Sequence, residues 1–292
     1  MAIKKQLTDY SPIPPVESNR RLIGPPIAQH FESGSEAPWM PEEKSWRGSM
    51  AGSCARQIAY SIKGVEETNL KDASDYWRFW LGSATHAELF PAMKEWANNS
   101  EGLTITEEME VTLGENGYGH IDLVLDVGDK KVVIELKTIN GTGYKKAIGG
   151  GGPRYSALLQ GSLYANGIDA DLLVIAYVAM ENCTDSWVEQ RGFDALTKFT
   201  SEWHYTPDQF NPRAEAEVSR MEWITEQLND GREAKEIPRM FSEFDPDIPW
   251  GAEVIDPRTG AWVLEQYDTL IAKSRTWMCA YCSYKDRCIQ DG

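Results

Sequence analysis

Three cysteines stand within ten residues at the end of this chain of 292, as Cys279-Ala-Tyr-Cys282 and Cys288, and a fourth, Cys54, lies far upstream in Gly-Ser-Cys-Ala-Arg. Thiols grouped in this way inside a cell bind metal more often than they form disulfides. A Cys-x-x-Cys pair with a third cysteine nearby is a thiolate ligand set. If Cys54 completes it, nearly the whole chain becomes one closed loop, which strongly limits the unfolded ensemble and brings the two ends together. Zinc and an iron–sulfur cluster both fit the spacing; free or core cysteines are the plain alternative. Cys183 stands apart and reads as a small buried residue.

A chain of this length with 41% hydrophobic residues buries a full core, as one large domain or one domain with additions. No run of about 18 apolar residues occurs, so no membrane span is expected. The start, Met-Ala-Ile-Lys-Lys-Gln, lacks an apolar signal core, and the expected location is cytoplasmic. The net charge of −16 speaks against a nucleic-acid partner unless the basic residues are gathered in one place. Residues 181–270 hold 8 basic against 20 acidic residues, so much of the acid lies in one stretch. Lys145, Lys146 and Arg154 have no acid around them, and Lys273, Arg275, Lys285 and Arg287 face only Asp286. A local basic groove on an acidic protein and an ordinary solvated surface both satisfy this pattern.

Residues 1–45 contain Ser-Pro-Ile-Pro-Pro and Gly-Pro-Pro and read as an extended arm. From Ser53 to Asn98 the pattern turns helical, with Trp77, Trp80, Leu81, Ala84 and Leu89 near a 3.6-residue period. Pro91 is expected to kink or restart that helix. Strands are expected at 104–113, 118–127 and 131–139, the second and third joined by a Gly128-Asp129 turn. Asn140–Gly152 reads as a flexible glycine-rich loop, 155–166 as a helix, 172–180 as a buried strand and 213–228 as a helix. Tyr76, Trp77, Phe79 and Trp80 are expected mainly to pack the core, with base stacking as the alternative. The expected domain plan is an arm over 1–45 and one domain over 46–292. That domain would have a core at about 76–180, an acidic extension at about 181–270 and a cysteine tail over 271–292.

Asp122 closes Gly119-His120-Ile121-Asp122 on one strand, and Glu135-Leu136-Lys137 lies on the next. Residues two apart on a strand share a face, so Glu135 and Lys137 project together with the Leu136 carbonyl between them, and a hairpin brings Asp122 alongside. Carboxylates and a carbonyl are hard ligands suited to Mg²⁺ or Mn²⁺, which polarise a phosphate and activate water. A lysine beside them orients that water or stabilises developing negative charge. The plain reading is a surface hairpin of alternating charge. Upstream, His86 offers an imidazole; downstream, Gln160 and Tyr164 are four apart on a helix. Each alone has an ordinary structural reading. His120 is expected to share the strand face of Asp122, and Lys145 and Lys146 either contact backbone phosphate or are simply solvated.

The order of these motifs resembles the RecB-type nucleases of the PD-(D/E)XK superfamily. With the four cysteines it resembles their iron–sulfur subgroup, which includes the CRISPR-associated "Cas-four" exonucleases, the AddB nuclease domain and related phage exonucleases. The resemblance implies an α/β (α+β) restriction-endonuclease-like core, a mixed central sheet flanked by helices. An N-terminal helical part and the C-terminal tail would be joined by the four-cysteine cluster. It implies His86, Asp122, Glu135 and the Leu136 carbonyl as ligands of Mn²⁺ or Mg²⁺. Lys137 would be the catalytic lysine, with Gln160 and Tyr164 beside it. It also implies a [4Fe–4S] cluster on Cys54, Cys279, Cys282 and Cys288, and exonuclease activity on single-stranded or duplex DNA ends, with Lys145, Lys146 and Arg154 contacting DNA. The acidic stretch would serve a recombination or replication protein. The alternatives are a DNA-binding subunit of a larger complex and a zinc-stapled interaction module.

Overall fold

The computed structural model describes residues 45–239, 279 and 281–292. The expected arm and most of the second half of the acidic stretch lie outside the described residues. The chain divides into two compact units, 1–37 with 71–79 and 38–70 with 80–292. Of the first, only 71–79 is described, mostly as the opening turns of a helix. The rest of this subsection concerns the second unit.

The elements in chain order are β1 (Trp46–Arg47), α1 (Ala55–Ile62), α2 (Ala73–Asn98), β2 (Leu103–Leu113), β3 (Gly117–Val127), β4 (Lys130–Ile139), α3 (Gly141–Lys146), α4 (Tyr155–Gly167), β5 (Leu172–Ala179), α5 (Asp185–Glu189), β6 (Thr200–Tyr205), α6 (Pro207–Asn229) and α7 (Lys285–Gln290). They build one mixed sheet in the order β1-β3-β4-β5-β6, with β2 on the other edge of β3. β4 and β5 are parallel and are joined by a crossover through α3 and α4; β2, β3, β4 and β5, β6 pair antiparallel. The mixed sheet flanked by helices is the architecture expected from the resemblance. Among the described residues no helix is long and apolar enough to cross a membrane.

One face of the sheet carries Val124, Val133, Leu173, Ile175 and Tyr177 against Leu159 and Leu163 of α4 and Phe210, Met221 and Ile224 of α6. The other carries Leu123, Ile134, Leu136 and Val174 against Phe90 and Ala97 of α2. The alternation breaks on β3, where Ile121 and Leu123 pack into opposite layers. It breaks on β2 as well, where Ile105 and Val111 do the same.

The pairing of β3 changes partner along its length. β2 runs beside it from Leu113↔Gly117 to Leu103↔Val127. On the other edge, β4 pairs only from Val127↔Lys130 to Leu123↔Ile134, and β1 takes up Gly117 and Tyr118. Residues 119–122 therefore lie beyond the β3–β4 pairing, and the Tyr164 ring packs on the backbone there. A methyl group built on Gly119 would lie 2.5 Å from Tyr164 Cε1, and Gly48, just after β1, meets the same ring.

Several expectations are corrected. The glycine-rich segment after β4 is helical, α3 followed by a π-helical turn over Ala147–Gly151, because Asn140 caps Gly143 N at 2.8 Å and Tyr144 is buried. A single helix runs through Pro91; its flanking residues Phe90 and Met93 pack on the sheet, and that packing outweighs one lost backbone hydrogen bond. In the first unit Trp77 and Phe79 are 43% and 56% exposed, and in the second Trp80 is 49% exposed, so none is the buried residue expected. α6 begins six residues earlier than expected, at Pro207, started by a Thr206–Gln209 capping box.

Gly119→Ala is expected to lower thermal stability by about 1–3 kcal/mol, the usual cost of overpacking. Gly128→Ala, in open space, tests by contrast only the strain of a positive φ, 63°. Equal losses in thermal unfolding would show that Tyr164 leaves room at Gly119.

Candidate active site

Asp122 is the first residue of β3 beyond its pairing with β4. Its Oδ2 accepts the Leu136 backbone N–H at 2.8 Å, so a side chain completes the contact that the strands no longer make. From α2, His86 Nε2 lies 3.3 Å from the Leu136 carbonyl oxygen. Donation to a carbonyl requires a proton on Nε2, and Nδ1 lies on the side of Asp122, 3.9 Å from Oδ1. The His86 ring rests on Phe90, with centroids 4.8 Å apart.

Glu135 is fully buried, and Lys137 Nζ contacts its Oε1. Neither carboxylate oxygen makes a hydrogen bond of good geometry. Burial pushes the Glu135 carboxyl up to about 8; Lys137 opposes this, and Asp122 and Glu108 add to it. Burial also raises Asp122, against the pull of Lys137, His86 and the Leu136 N–H. For Lys137, burial acts downward, but Glu135 and Asp122 more than offset it, so its ammonium is held above the ordinary lysine range. A buried carboxylate without hydrogen bonds is costly unless a counter-charge joins it. Carboxylate oxygens, a carbonyl and an imidazole are the donor set of a hard or borderline divalent cation, so these residues fit Mg²⁺ or Mn²⁺.

The structure adds one residue that the sequence reading missed. Glu108 stands opposite Asp122, between the pairs Glu107↔Leu123 and Met109↔Ile121. Donor atoms of His86, Glu108 and Asp122 all lie within 4.8 Å of one another. Glu108 has φ 50°, in the left-handed region, inside an eleven-residue strand; such a backbone costs a non-glycine residue ~1–2 kcal/mol. The available signal was Glu107, which occupies an apolar position in the alternation Ile105, Met109, Val111, Leu113. That interruption marks where the strand changes faces.

Gln160 and Tyr164 meet, as their spacing requires, with Gln160 Nε2 donating to Tyr164 Oη at 3.1 Å. Tyr164 is a core residue, its hydroxyl raised above the ordinary range by burial and then by Glu135. Gln160 and Lys137 border a cavity of about 170 Å³, with Ser49, Arg154, Ser156 and Tyr177 on its walls. Lys145 lies over the Trp187 ring, 5.7 Å from its centroid, while Lys146 and Arg154 are exposed. His120 is turned to Tyr118 Oη, 3.1 Å away, and to Glu110. It also acts electrostatically on Glu108, together with Asp122 and His86.

The cysteines converge. Cys54 caps α1 and receives the backbone N–H groups of Gln57 and Arg56; burial above all, then Cys279 and Cys288, set its thiol at about 11. Burial, with Cys54, Cys279 and Cys288 adding, pushes Cys282 up to about 12, against a Tyr284 N–H. Arg239 Nε donates to Cys288 Sγ at 3.2 Å. The thiols thus lie close enough to act on one another electrostatically, though among the described residues the group spaced to hold a single ion is His86, Glu108 and Asp122. The tail is fixed beside α1 by Arg56 Nη1 to the Gly292 carbonyl at 2.9 Å and by Tyr60 Oη to Asp291 at 2.8 Å. Cys183 is buried, as expected.

The sequence model of the PD-(D/E)XK nuclease superfamily matches residues 47–289. The chain belongs to that superfamily. No curated protein matches it. Solved structures similar to it include that of SSO0001, at 16% identity and TM-score 0.42, covering 72% of this chain and 89% of the other. The alkaline exonuclease LHK-Exo of Laribacter hongkongensis in complex with dAMP is similar at 13% identity and TM-score 0.41, covering 64% and 90%. A phage-related exonuclease from Haemophilus somnus 129PT is similar at 16% and 0.37, covering 60% and 81%.

A superfamily nuclease with Glu135 held at about 8 carries a pH signature in its cation-free form. Between about 4.5, the ordinary glutamate value, and 8, the folded chain binds a proton at Glu135 that the unfolded chain has released. Stability therefore falls as pH rises through that window. Glu135→Gln is expected to flatten this decline in chelator-treated protein. Thermal unfolding across the window checks it, and an unchanged slope in the variant would count against a buried, protonatable Glu135.

Proposed function

We propose that the protein is a Mg²⁺- or Mn²⁺-dependent deoxyribonuclease that digests DNA from linear or single-stranded ends, in recombination, replication or repair. Membership of the nuclease superfamily supports hydrolysis of a phosphodiester. The observation that carries the reading is Glu135, a fully buried carboxylate lacking hydrogen bonds, set beside Asp122, the Leu136 carbonyl and Lys137.

When bound, the cation supplies Lewis acidity at the scissile phosphate and lowers the pKa of a bound water. The chain's own residues do the rest. Asp122, Glu135, the Leu136 carbonyl and His86 would hold the cation. The Lys137 ammonium, held charged by the two carboxylates, orients the water and stabilises negative charge as it develops on the phosphate. Gln160, fixed by Tyr164 Oη, borders the same cavity and positions phosphate oxygens. Lys146 and Arg154 contact the strand backbone, with Lys145 beside them.

The convergence of Cys54, Cys279, Cys282 and Cys288 supports assignment to the iron–sulfur, RecB-type subgroup with a [4Fe–4S] cluster. In this reading 46–292 forms one nuclease domain, with a core at about 76–180, an acidic extension at about 181–270 that recruits a protein partner, and a tail over 271–292.

Incubation of anaerobically purified protein with Mn²⁺ and linear DNA labelled at either end is expected to release one label first. Lys137→Ala is expected to slow that release by about 10²-fold or more while DNA binding in a gel-shift assay is kept. Retention of both labels by the wild type, with DNA still bound, would make it a binding subunit. The same preparation is expected to contain iron and acid-labile sulfide and to absorb in the visible, with both lost in Cys282→Ser. Zinc in place of iron would overturn the cluster assignment while leaving the nuclease reading intact.

A further inference from the structure

We propose that Glu108 is a further protein ligand of the active-site cation, reaching across from β2 to act with Asp122 and His86. The inference rests on the nuclease reading and adds a residue outside the motifs that carry it. The donor atoms of Glu108, Asp122 and His86 lie within 4.8 Å of one another, a spacing that one ion can span. A group of carboxylates is common on protein surfaces, so an independent sign of a ligand matters. It comes from Glu135, fully buried, whose Oε2 has no partner while Oε1 meets Lys137, in the electrostatic field of both Asp122 and Glu108. Lys137 contacts Glu135, and the group whose donor atoms share one ion's span, His86, Glu108 and Asp122, contains no lysine or arginine.

Charge gives the same answer. Asp122 and Glu135 with Lys137 leave a net charge of about −1 when all are ionised, and Glu108 brings it to about −2, the complement of a divalent ion. The backbone explains how the side chain arrives there. A regular strand would send residues 105, 107, 109 and 111 to one face. Instead Ile105 and Val111 enter opposite layers, and the reversal falls at Glu108, whose φ is 50°. Asp122, its partner in register, sits at the corresponding reversal of β3, between Ile121 and Leu123. The two strands break their alternation at the same rung, and that rung holds the two carboxylates. Glu107 goes elsewhere, to Lys94 at 2.9 Å.

The test is Mn²⁺ binding to the full-length protein without DNA, followed by the electron paramagnetic resonance signal of free Mn²⁺. Glu108→Gln is expected to weaken binding about tenfold or more. Glu107→Gln, the same charge change one residue away, should stay within about twofold of the wild type. Because Glu108 is exposed, its amide variant should fold, and circular dichroism with thermal unfolding checks this. Glu108→Asp, which keeps the charge but shortens the arm, should fall between the two. Wild-type affinity in Glu108→Gln, or equal losses in the two Gln variants, would overturn the inference. If at the same time Asp122→Asn abolishes binding, the nuclease reading stands without Glu108. If the wild type itself binds no Mn²⁺, the nuclease reading fails as well.

Discussion

The hydrogen bond from the Leu136 amide to Asp122 Oδ2 stands where two strands part, and the active site is the space that their parting opens. β3 and β4 are continuous up to Leu123↔Ile134. Had they stayed paired, the Leu136 amide and its carbonyl would be spent in a ladder, and Glu135 would lie in a closed sheet. Separation leaves backbone groups that must find partners inside the protein. Asp122 satisfies the amide and His86 approaches the carbonyl. β1 covers the far end of the exposed edge, and the Tyr164 ring packs against Gly119 and Gly48. Gly119 and Gly48 are glycines for that reason: a side chain at either would occupy the ring's position.

This geometry concentrates charge where water is scarce. Glu135 is fully buried and Asp122 nearly so, and one lysine does not neutralise both. The fold tolerates the arrangement because the sheet around it is rigid and apolar on both faces, so the charges cannot relax outward. A site of this kind destabilises the cation-free protein and favours whatever brings positive charge to it. The left-handed Glu108 belongs to the same pattern, a strained backbone retained beside the carboxylates.

The regular parts of the fold were legible in the sequence because burial imposes a period. The strands over 103–113, 117–127, 130–139 and 172–179 lie within a residue or so of their expected limits. Asp122, Glu135, Lys137 and His86 were readable because their motifs are ordered along the chain, and the structure brings them together. What escaped had no period to betray it. Glycine content suggested a loop after β4, but an asparagine cap and the buried Tyr144 make it helical. The indole and phenyl groups at 77, 79 and 80 follow helical spacing, yet spacing does not say whether a helix face is covered. Glu108 was marked only by its neighbour, since Glu107 at an apolar position is a single break in the alternation and does not say which residue turns inward.

The cysteines and the active site share one short stretch of chain. From Trp46 to Cys54 the backbone pairs with β3, passes Tyr164 at Gly48 and turns at Gly52, φ 76°. It then enters α1 at Cys54. The buried pair Glu217–Arg220 of α6 grips that turn: Gly52 N–H donates to Glu217 Oε1 at 2.8 Å, and Arg220 Nη1 donates to the Ser53 carbonyl at 3.1 Å. A buried ion pair is a weak source of net stability but a strict one of geometry, since removing either partner strands the other. Here it fixes the backbone on which Cys54 and the ring contact of Gly48 both depend. Arg56, two residues on, then reaches the last carbonyl of the chain. Residues 291 and 292 are thus tied to the segment that pairs with β3, so the contacts of the tail also hold the backbone beside the strand that carries Asp122.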